Sequence, residues 1–91
     1  MREFEVKPEL DKILKKLFKK DKKLYNQVLK KIDEVVSSYN IEAYKNLRYD
    51  MKESKRVHVG HFVLIFSYDK KAEFVSFENF AHHDKIYIRK I

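Results

Sequence analysis

Histidine, arginine and tyrosine side chains near the middle and the end of this chain could carry out acid–base chemistry. The 91 residues include four histidines and no cysteine. Arg56 and His58 are two residues apart in the middle of the chain. His82 and His83 are adjacent near its end, and Tyr87 follows four residues after His83. Because histidine titrates near neutral pH, it can accept or donate a proton during catalysis.

Cleavage of RNA by the ribose 2′-hydroxyl is a reaction that such residues could catalyse. It needs a base for the hydroxyl, an acid for the leaving oxygen, and positive charge beside the phosphate. Alternation along a strand would place Arg56 and His58 on one face. A helical segment would place His83 and Tyr87 on one side, where Tyr87 could stack on an unpaired base. If these two segments meet, they form one basic groove.

The same residues also have structural interpretations, which the sequence leaves open. Arg56 and His58 could be the solvated face of an edge strand, and the adjacent histidines could be exposed residues of a chain end. Tyr87 could pack against the sheet as part of the core. The many lysines of the first helices could form a solvated face.

Several other chemistries fit the sequence poorly. One glycine leaves no Gly-rich phosphate loop, and the lack of cysteine excludes disulfides and thiolate chemistry. The adjacent His82 and His83 would point about 100° apart on a helix, which is a poor geometry for chelation. We therefore expect neither a metal site nor a cofactor.

Length and charge indicate one small basic domain, residues 1–91. The formal net charge of +7 suits a polyanion or an acidic protein as partner, although solubility alone could explain it. No apolar run approaches the roughly 20 residues that cross a bilayer, and the amino terminus lacks a signal-peptide core. We expect a soluble cytoplasmic protein without membrane contact.

The first half of the chain predicts a strand and two helices. REFEVK alternates apolar and charged residues, as a strand does, and Pro8 suits the first turn of a helix. Apolar residues then recur at helical spacing through residues 8–21 and 22–39, the second stripe ending at Tyr39. Asp21 can cap the second helix. The tight junction KKDKK predicts an antiparallel helix hairpin.

The second half changes to a period of two. Residues 40–55 predict a short helical turn and then a loop. KRVHV, FVLIFSY and EFVSFENF predict three strands, with Gly60 in the first turn, and the apolar FVLIFSY suits a central strand covered on both faces. The predicted fold is therefore α+β: an N-terminal strand, an antiparallel helix hairpin, a three-stranded antiparallel meander and a short C-terminal segment, with the helices on one sheet face.

This order and two motifs resemble the RelE/ParE superfamily of bacterial and archaeal toxins. RVHVGHFVLIFSY is similar to the family's basic strand, glycine and hydrophobic strand, and HHDKIY is similar to its closing His-Arg-x-x-x-Tyr pattern. The resemblance implies a RelE-like fold and a metal-independent, ribosome-dependent mRNA endoribonuclease (mRNA interferase) that inhibits translation. It also implies an acidic RelB-like antitoxin as partner, with a heterotetramer as one form of the complex.

The resemblance also suggests roles for individual residues. Arg56 and His58 match the pair that holds and neutralises the phosphate. His83 matches the general acid of the YafQ-like branch, and Tyr87 matches the closing tyrosine that stacks on a base or assists catalysis. Further RNA- or phosphate-binding candidates are Arg48, Lys52, Lys55, His61 and His82.

Two positions depart from the family pattern. Val63 and His83 stand where many members have arginine, which leaves the site poorer in guanidinium groups. This departure also fits two alternatives: a ParE-like toxin that inhibits gyrase without cutting RNA, and a degenerate homologue that binds RNA or protein without toxicity.

Overall fold

A computed structural model describes the backbone of residues 2–48 and 51–88 and the side chains of residues 2–47 and 54–86. In chain order the elements are β1 (Glu3–Val6), α1 (Pro8–Lys20), α2 (Lys22–Val36), a 3-10 helix (Ile41–Ala43), β2 (Asn46–Arg48), β3 (Met51–Val59), β4 (Phe62–Asp69), β5 (Phe74–His82) and α3 (His83–Ile88).

The strands of the described residues form one sheet in the order β1-β5-β4-β3-β2. β1 pairs parallel with β5, so the first strand of the chain lies at one edge of the sheet. The other pairs are antiparallel. The helix hairpin covers one face of this sheet. The predicted α+β architecture is therefore confirmed. Of the described helices, none combines the length and the apolar character needed to cross a membrane.

The helix hairpin follows the apolar stripes of the sequence over most of its length. Asp21 caps α2 as predicted, because its carboxylate accepts a hydrogen bond from the Leu24 amide at 3.1 Å. The extension of the stripe to Tyr39 is wrong: α2 ends at Val36, and Tyr39 is 100% exposed. Two serines follow Val36, and serine competes with the helical backbone for hydrogen bonds, which favours helix ends. The buried helix residues are Leu10, Leu14, Val28, Ile32, Val35 and Val36.

The irregular middle of the chain holds more strand than its sequence predicted. The short helical turn is present as the 3-10 helix, but β2 replaces the predicted loop, and β3 begins at Met51 instead of Lys55. The meander therefore has four strands. The charged segment MKESK lacks an apolar period, so backbone pairing with its neighbours, such as Asn46 with Lys55, makes it extended.

Alternation along the strands divides their side chains between two faces. Leu64 and Phe66 of β4 point to the helix-covered face, where they join Phe77 of β5 in the core. Val63 and Ile65 point to the opposite, open face, yet they are 0% and 7% exposed. β4 is thus buried on both sides, as its apolar sequence predicted. Arg56 and His58 of β3, which pair with Ile65 and Val63, lie on this open face.

Candidate active site

At one end of the open face, residues from the middle of the chain lie next to residues near its carboxyl end. His58 of β3 pairs with Val63 of β4, which pairs with Ala81 of β5, so the three residues form a row across the sheet. His83 follows two residues after Ala81 as the first residue of α3. The ring centroids of His58 and His83 are 6.2 Å apart. The sheet register therefore places these two imidazoles side by side.

Arg56 lies on the same face as His58, roughly 6.6 Å away along the strand. Its backbone amide donates to the Lys45 carbonyl at 2.9 Å, and its Nε donates to the Asn46 carbonyl at 3.0 Å. These bonds tie both the backbone and the side chain of Arg56 to the neighbouring segment. The guanidinium is consequently a fixed positive charge on the same face of β3 as His58, held on the side of β2.

The other two histidines lie around the end of the sheet. His82 pairs with Phe62 on the helix-covered side of the sheet. The two rings make a T-shaped contact with their centroids 5.4 Å apart. The His61 ring stacks on His82 with centroids 6.3 Å apart and planes at 19°. His82 and His83 are 6.5 Å apart. All four histidines thus form one row, in the order His58, His83, His82, His61.

The turn between β3 and β4 holds His83 of this row in place through a backbone hydrogen bond. Gly60 has a φ of 63°, a left-handed conformation that glycine adopts without steric cost. The next residue, His61, accepts a hydrogen bond at its carbonyl from the His83 amide at 2.9 Å. The start of α3 is therefore held to the β3–β4 turn by the backbone, independently of any side chain.

Asp84 contacts both histidines of the adjacent pair. The Nδ1 of His83 is 3.2 Å from Asp84 Oδ1, and the Asp84 amide donates to Nδ1 of His82 at 3.1 Å. The Asp84 Oδ2 is also 3.8 Å from the same His82 nitrogen, which would be an ion pair if the ring were protonated. The shorter contact comes from an N–H group, so Nδ1 of His82 is an unprotonated acceptor here. Sequence reasoning did not single out Asp84, although a carboxylate in the first turn of a helix is a recognisable signal.

The remaining site candidates are not all near this row. Lys55 points to the other side of β3 from Arg56, and its ammonium lies 3.1 Å from the Tyr44 carbonyl and 3.2 Å from Asn46 Oδ1. The backbone of α3 includes Tyr87. The side chains of Arg48, Lys52 and Tyr87 lie outside the described residues.

The opposite part of the open face, toward β1, carries carboxylates. The Ser76 hydroxyl donates to Glu5 Oε2 at 2.8 Å, and the Lys7 ammonium is 3.4 Å from the same oxygen. The hydrogen bond from Ser76, and to a smaller extent the charge of Lys7, lower the pKa of Glu5. The Glu5 carboxylate and the Lys7 ammonium balance each other, so this pair offers a phosphate group no excess positive charge.

The geometry of His58 and His83 suits proton transfer at one phosphodiester. A hydrogen bond is about 3 Å long, so two of them placed end to end span a distance close to the one between the two ring centroids. Both imidazoles can therefore reach oxygen atoms of the same phosphodiester. The site is less suited to binding a metal ion, since no three histidine, aspartate or glutamate side chains among the described residues are arranged to hold one. The arrangement therefore matches acid–base catalysis with nearby positive charge.

Comparisons with known proteins give relatives from two archaea. No protein-family model matches the chain. A Methanocaldococcus jannaschii protein named "Putative toxin RelE4" is 47% identical over 91 residues, which are 99% of this chain and 95% of that protein. An uncharacterized protein of Methanosarcina mazei is 46% identical over 83 residues, which are 90% and 94% of the two chains.

A comparison of structures finds the same fold in a solved protein. The crystal structure of the isolated Escherichia coli RelE toxin matches with a TM-score of 0.71 and 19% sequence identity. The match covers 90% of this chain and 84% of that one. At this level of identity the likeness shows a shared arrangement of strands and helices.

Proposed function

Because this chain belongs to the RelE family of toxins, we propose that it is the toxin of a toxin–antitoxin system and cleaves mRNA on the ribosome in the cytoplasm. The observation that carries the nuclease proposal is the pairing of His58 and His83 on the open face, with ring centroids 6.2 Å apart. Arg56 supplies a fixed cation on the same face of β3 as His58. Cleavage at this site would stop translation without a metal ion or other cofactor.

The proposed reaction uses one imidazole on each side of the phosphate. His58 takes the proton of the ribose 2′-hydroxyl, whose oxygen attacks phosphorus and forms a 2′,3′-cyclic phosphate. His83 donates a proton to the 5′-oxygen as its bond to phosphorus breaks. Arg56 stabilises the extra negative charge of the transition state, and Tyr87 stacks on a neighbouring base.

The position of Val63 explains why histidines would take a larger part in this site. Val63 pairs with His58 and points to the same face, where its side chain is 0% exposed. An arginine at that position, as in the family pattern, would add a second guanidinium. Without it, Arg56 is the guanidinium of the proposed site and the proton transfers fall to histidines, which makes the proposed activity depend on pH.

Programmed ribosomes provide the direct test of the nuclease. The protein is incubated with ribosomes that carry a defined mRNA, and new 3′ ends are mapped, with naked mRNA as a second arm. We expect cuts on the ribosome that are absent with His83→Ala and retained with the control Tyr39→Ser, which replaces a fully exposed side chain outside the candidate site. Intact mRNA at catalytic protein levels, together with His83→Ala that inhibits growth as strongly as the wild type, would exclude the proposal.

The expected antitoxin partner matches the surface of the helix hairpin. Phe4, Phe18 and Leu29 are 43%, 48% and 39% exposed, and they line two apolar grooves that share Leu14. Lys15 and Lys19 border the groove that contains Phe18. An amphipathic acidic segment would cover the apolar residues and place its carboxylates beside the lysines. We propose that the antitoxin binds here, in a complex that can be a heterotetramer.

Copurification with the short acidic protein encoded beside the toxin gene tests this surface. Phe18→Ser should weaken the complex at least roughly tenfold, since exposed aromatic residues often dominate an interface. Tyr39→Ser is the matched control, because Tyr39 is more exposed but lines neither groove. Equal affinity of the wild type and both variants would place the antitoxin elsewhere.

A ParE-like inhibitor of gyrase is the second candidate function. The buried Val63 and the histidine in place of the closing arginine favour it, because both reduce the guanidinium content of the RNA site. A DNA supercoiling assay with purified gyrase separates the two. Inhibition of gyrase by the wild type and by His83→Ala alike, without RNA cleavage, would support this candidate. Harmless expression in the absence of any antitoxin would instead indicate a degenerate homologue.

A further inference from the structure

His82 occupies the position that caps a helix. It is the last residue of β5, and α3 begins at the next residue. Its Nδ1 accepts the amide of Asp84, the second residue of α3, at 3.1 Å. A side chain that precedes a helix and accepts an amide of its first turn is an N-cap. We propose that His82 is a positioning residue: its neutral imidazole caps α3 and so holds His83 in place beside His58.

The orientation of the His82 ring is fixed from two other directions. It makes a T-shaped contact with the Phe62 ring, with centroids 5.4 Å apart, and it stacks on the His61 ring. Phe62 in turn stacks on Phe80, with centroids 5.1 Å apart. This packing keeps Nδ1 directed at the helix, although serine, threonine, aspartate and asparagine are the usual caps.

The cap matters because α3 is short and begins with a proposed catalytic residue. A helix of six residues has little stability of its own, so its first turn depends on the groups that satisfy its amides. The His83 amide is held by the His61 carbonyl at 2.9 Å, and the Asp84 amide by His82. Loss of the second bond frays the turn that carries His83.

The cap functions only while His82 is neutral. Protonation places a hydrogen on Nδ1, which can no longer accept the Asp84 amide. The titratable groups that face this ring are His61 from the β3–β4 turn, and His83 and Asp84 from α3. The charged ring would turn to the Asp84 carboxylate, which also bonds Nδ1 of His83 at 3.2 Å. Protonation of His82 therefore removes the cap and disturbs the contact between Asp84 and His83.

The two adjacent histidines consequently need opposite protonation states. The general acid His83 must carry a proton in order to donate it, whereas His82 must remain neutral to keep α3 capped. This part of the inference rests on the proposed nuclease function. The capping itself does not, because it concerns only the bond from the Asp84 amide.

A pair of variants at position 82 tests the inference on the whole protein. Asparagine is among the best N-caps and does not titrate, whereas alanine cannot cap. By 15N NMR we expect the wild-type His82 ring above neutral pH to be protonated on Nε2 only. In His82→Ala the Asp84 amide signal should move and the helical shifts of residues 83–88 should decrease, and His82→Asn should restore both. The control Tyr39→Ser, which replaces a fully exposed side chain outside the histidine row, should leave the Asp84 amide bonded.

The cleavage rate supplies the second readout. His82→Ala should cleave roughly fivefold more slowly than the wild type, and His82→Asn should keep the wild-type rate. His82→Asn should also lose part of the fall in rate that the wild type shows at acidic pH. An Nδ1–H ring in the wild type, an unchanged Asp84 amide in His82→Ala, or an asparagine variant as slow as the alanine variant would each overturn the inference. If the cap is confirmed but the protein cuts no RNA, the proposed nuclease function is refuted and the capping by His82 still holds.

Discussion

The end of the sheet holds two pairs of histidines that look alike in spacing but differ in surroundings. The rings of His58 and His83 are 6.2 Å apart on the open face, and those of His61 and His82 are 6.3 Å apart around the strand ends. In the second pair one nitrogen accepts a backbone amide, and its ring packs against a phenylalanine. Equal spacing of imidazoles therefore does not imply equal function. What an imidazole can do depends on which face of the sheet it lies on and on which groups its nitrogens bind.

The largest expected difference between the pairs comes from His83→Ala. If His83 is the general acid, kcat for cleavage on the ribosome should fall by about 10²–10⁴-fold. Single-turnover cleavage of a defined ribosome-bound mRNA measures this loss. A loss no larger than that of His82→Ala would remove the distinction between the pairs.

His58→Ala should have the next largest effect, a loss of about 10²-fold, because it removes the proposed base. The remaining activity should also lose the fall at acidic pH that arises from protonation of the base. Rates measured from pH 5 to 9 on the same ribosomal substrate provide the test. An unchanged pH profile in His58→Ala would assign the base to another group.

Arg56→Lys tests whether the fixed direction of the guanidinium matters as well as its charge. Lysine keeps the positive charge but has no Nε–H to donate to the Asn46 carbonyl. We expect cleavage to slow by about tenfold while binding to ribosomes changes little. Cleavage rates and ribosome cosedimentation, measured on the same preparations, separate these two effects. A lysine variant as fast as the wild type would mean that charge alone is sufficient.

The smallest effect is expected for His61→Ala. His61 contributes its backbone carbonyl to the His83 amide, and alanine keeps that carbonyl. Only the ring that stacks on His82 is lost, so the cleavage rate should change by less than about twofold. The same single-turnover assay applies. A loss comparable to that of His58→Ala would show that both pairs take part in the chemistry.

Much of the fold follows from local patterns, and the exceptions have identifiable causes. Helical periods predicted α1 and α2, a continuous apolar run predicted β4, and an aspartate before the second helix predicted the Asp21 cap, since each depends on residues close in sequence. β2 and the start of β3 were missed because backbone pairing, rather than an apolar period, makes these charged segments extended. Tyr39 was misplaced because an apolar residue at helical spacing does not show where the helix stops.

The candidate site was predictable in its residue types and only partly in its geometry. The period of two places Arg56 and His58 together, and the resemblance to RelE-like toxins directed attention to His83. Lys55 was included because it is a cation near Arg56, but it faces the other side of the strand and is held by the Tyr44 carbonyl. Asp84 and the capping position of His82 depend on where β5 ends, and the sequence did not show that boundary.

The sequence by itself determined the helix hairpin, the apolar central strand, the excess of positive charge and the chemical groups available for catalysis. Those properties are local or compositional, so no folding is needed to see them. Only the tertiary structure decided which histidines meet, because residues 58 and 83 become neighbours through the register of β3, β4 and β5. It also decided that Nδ1 of His82 and Nδ1 of His83 are already bonded to Asp84. A one-residue change of that register would move His58 to the opposite face.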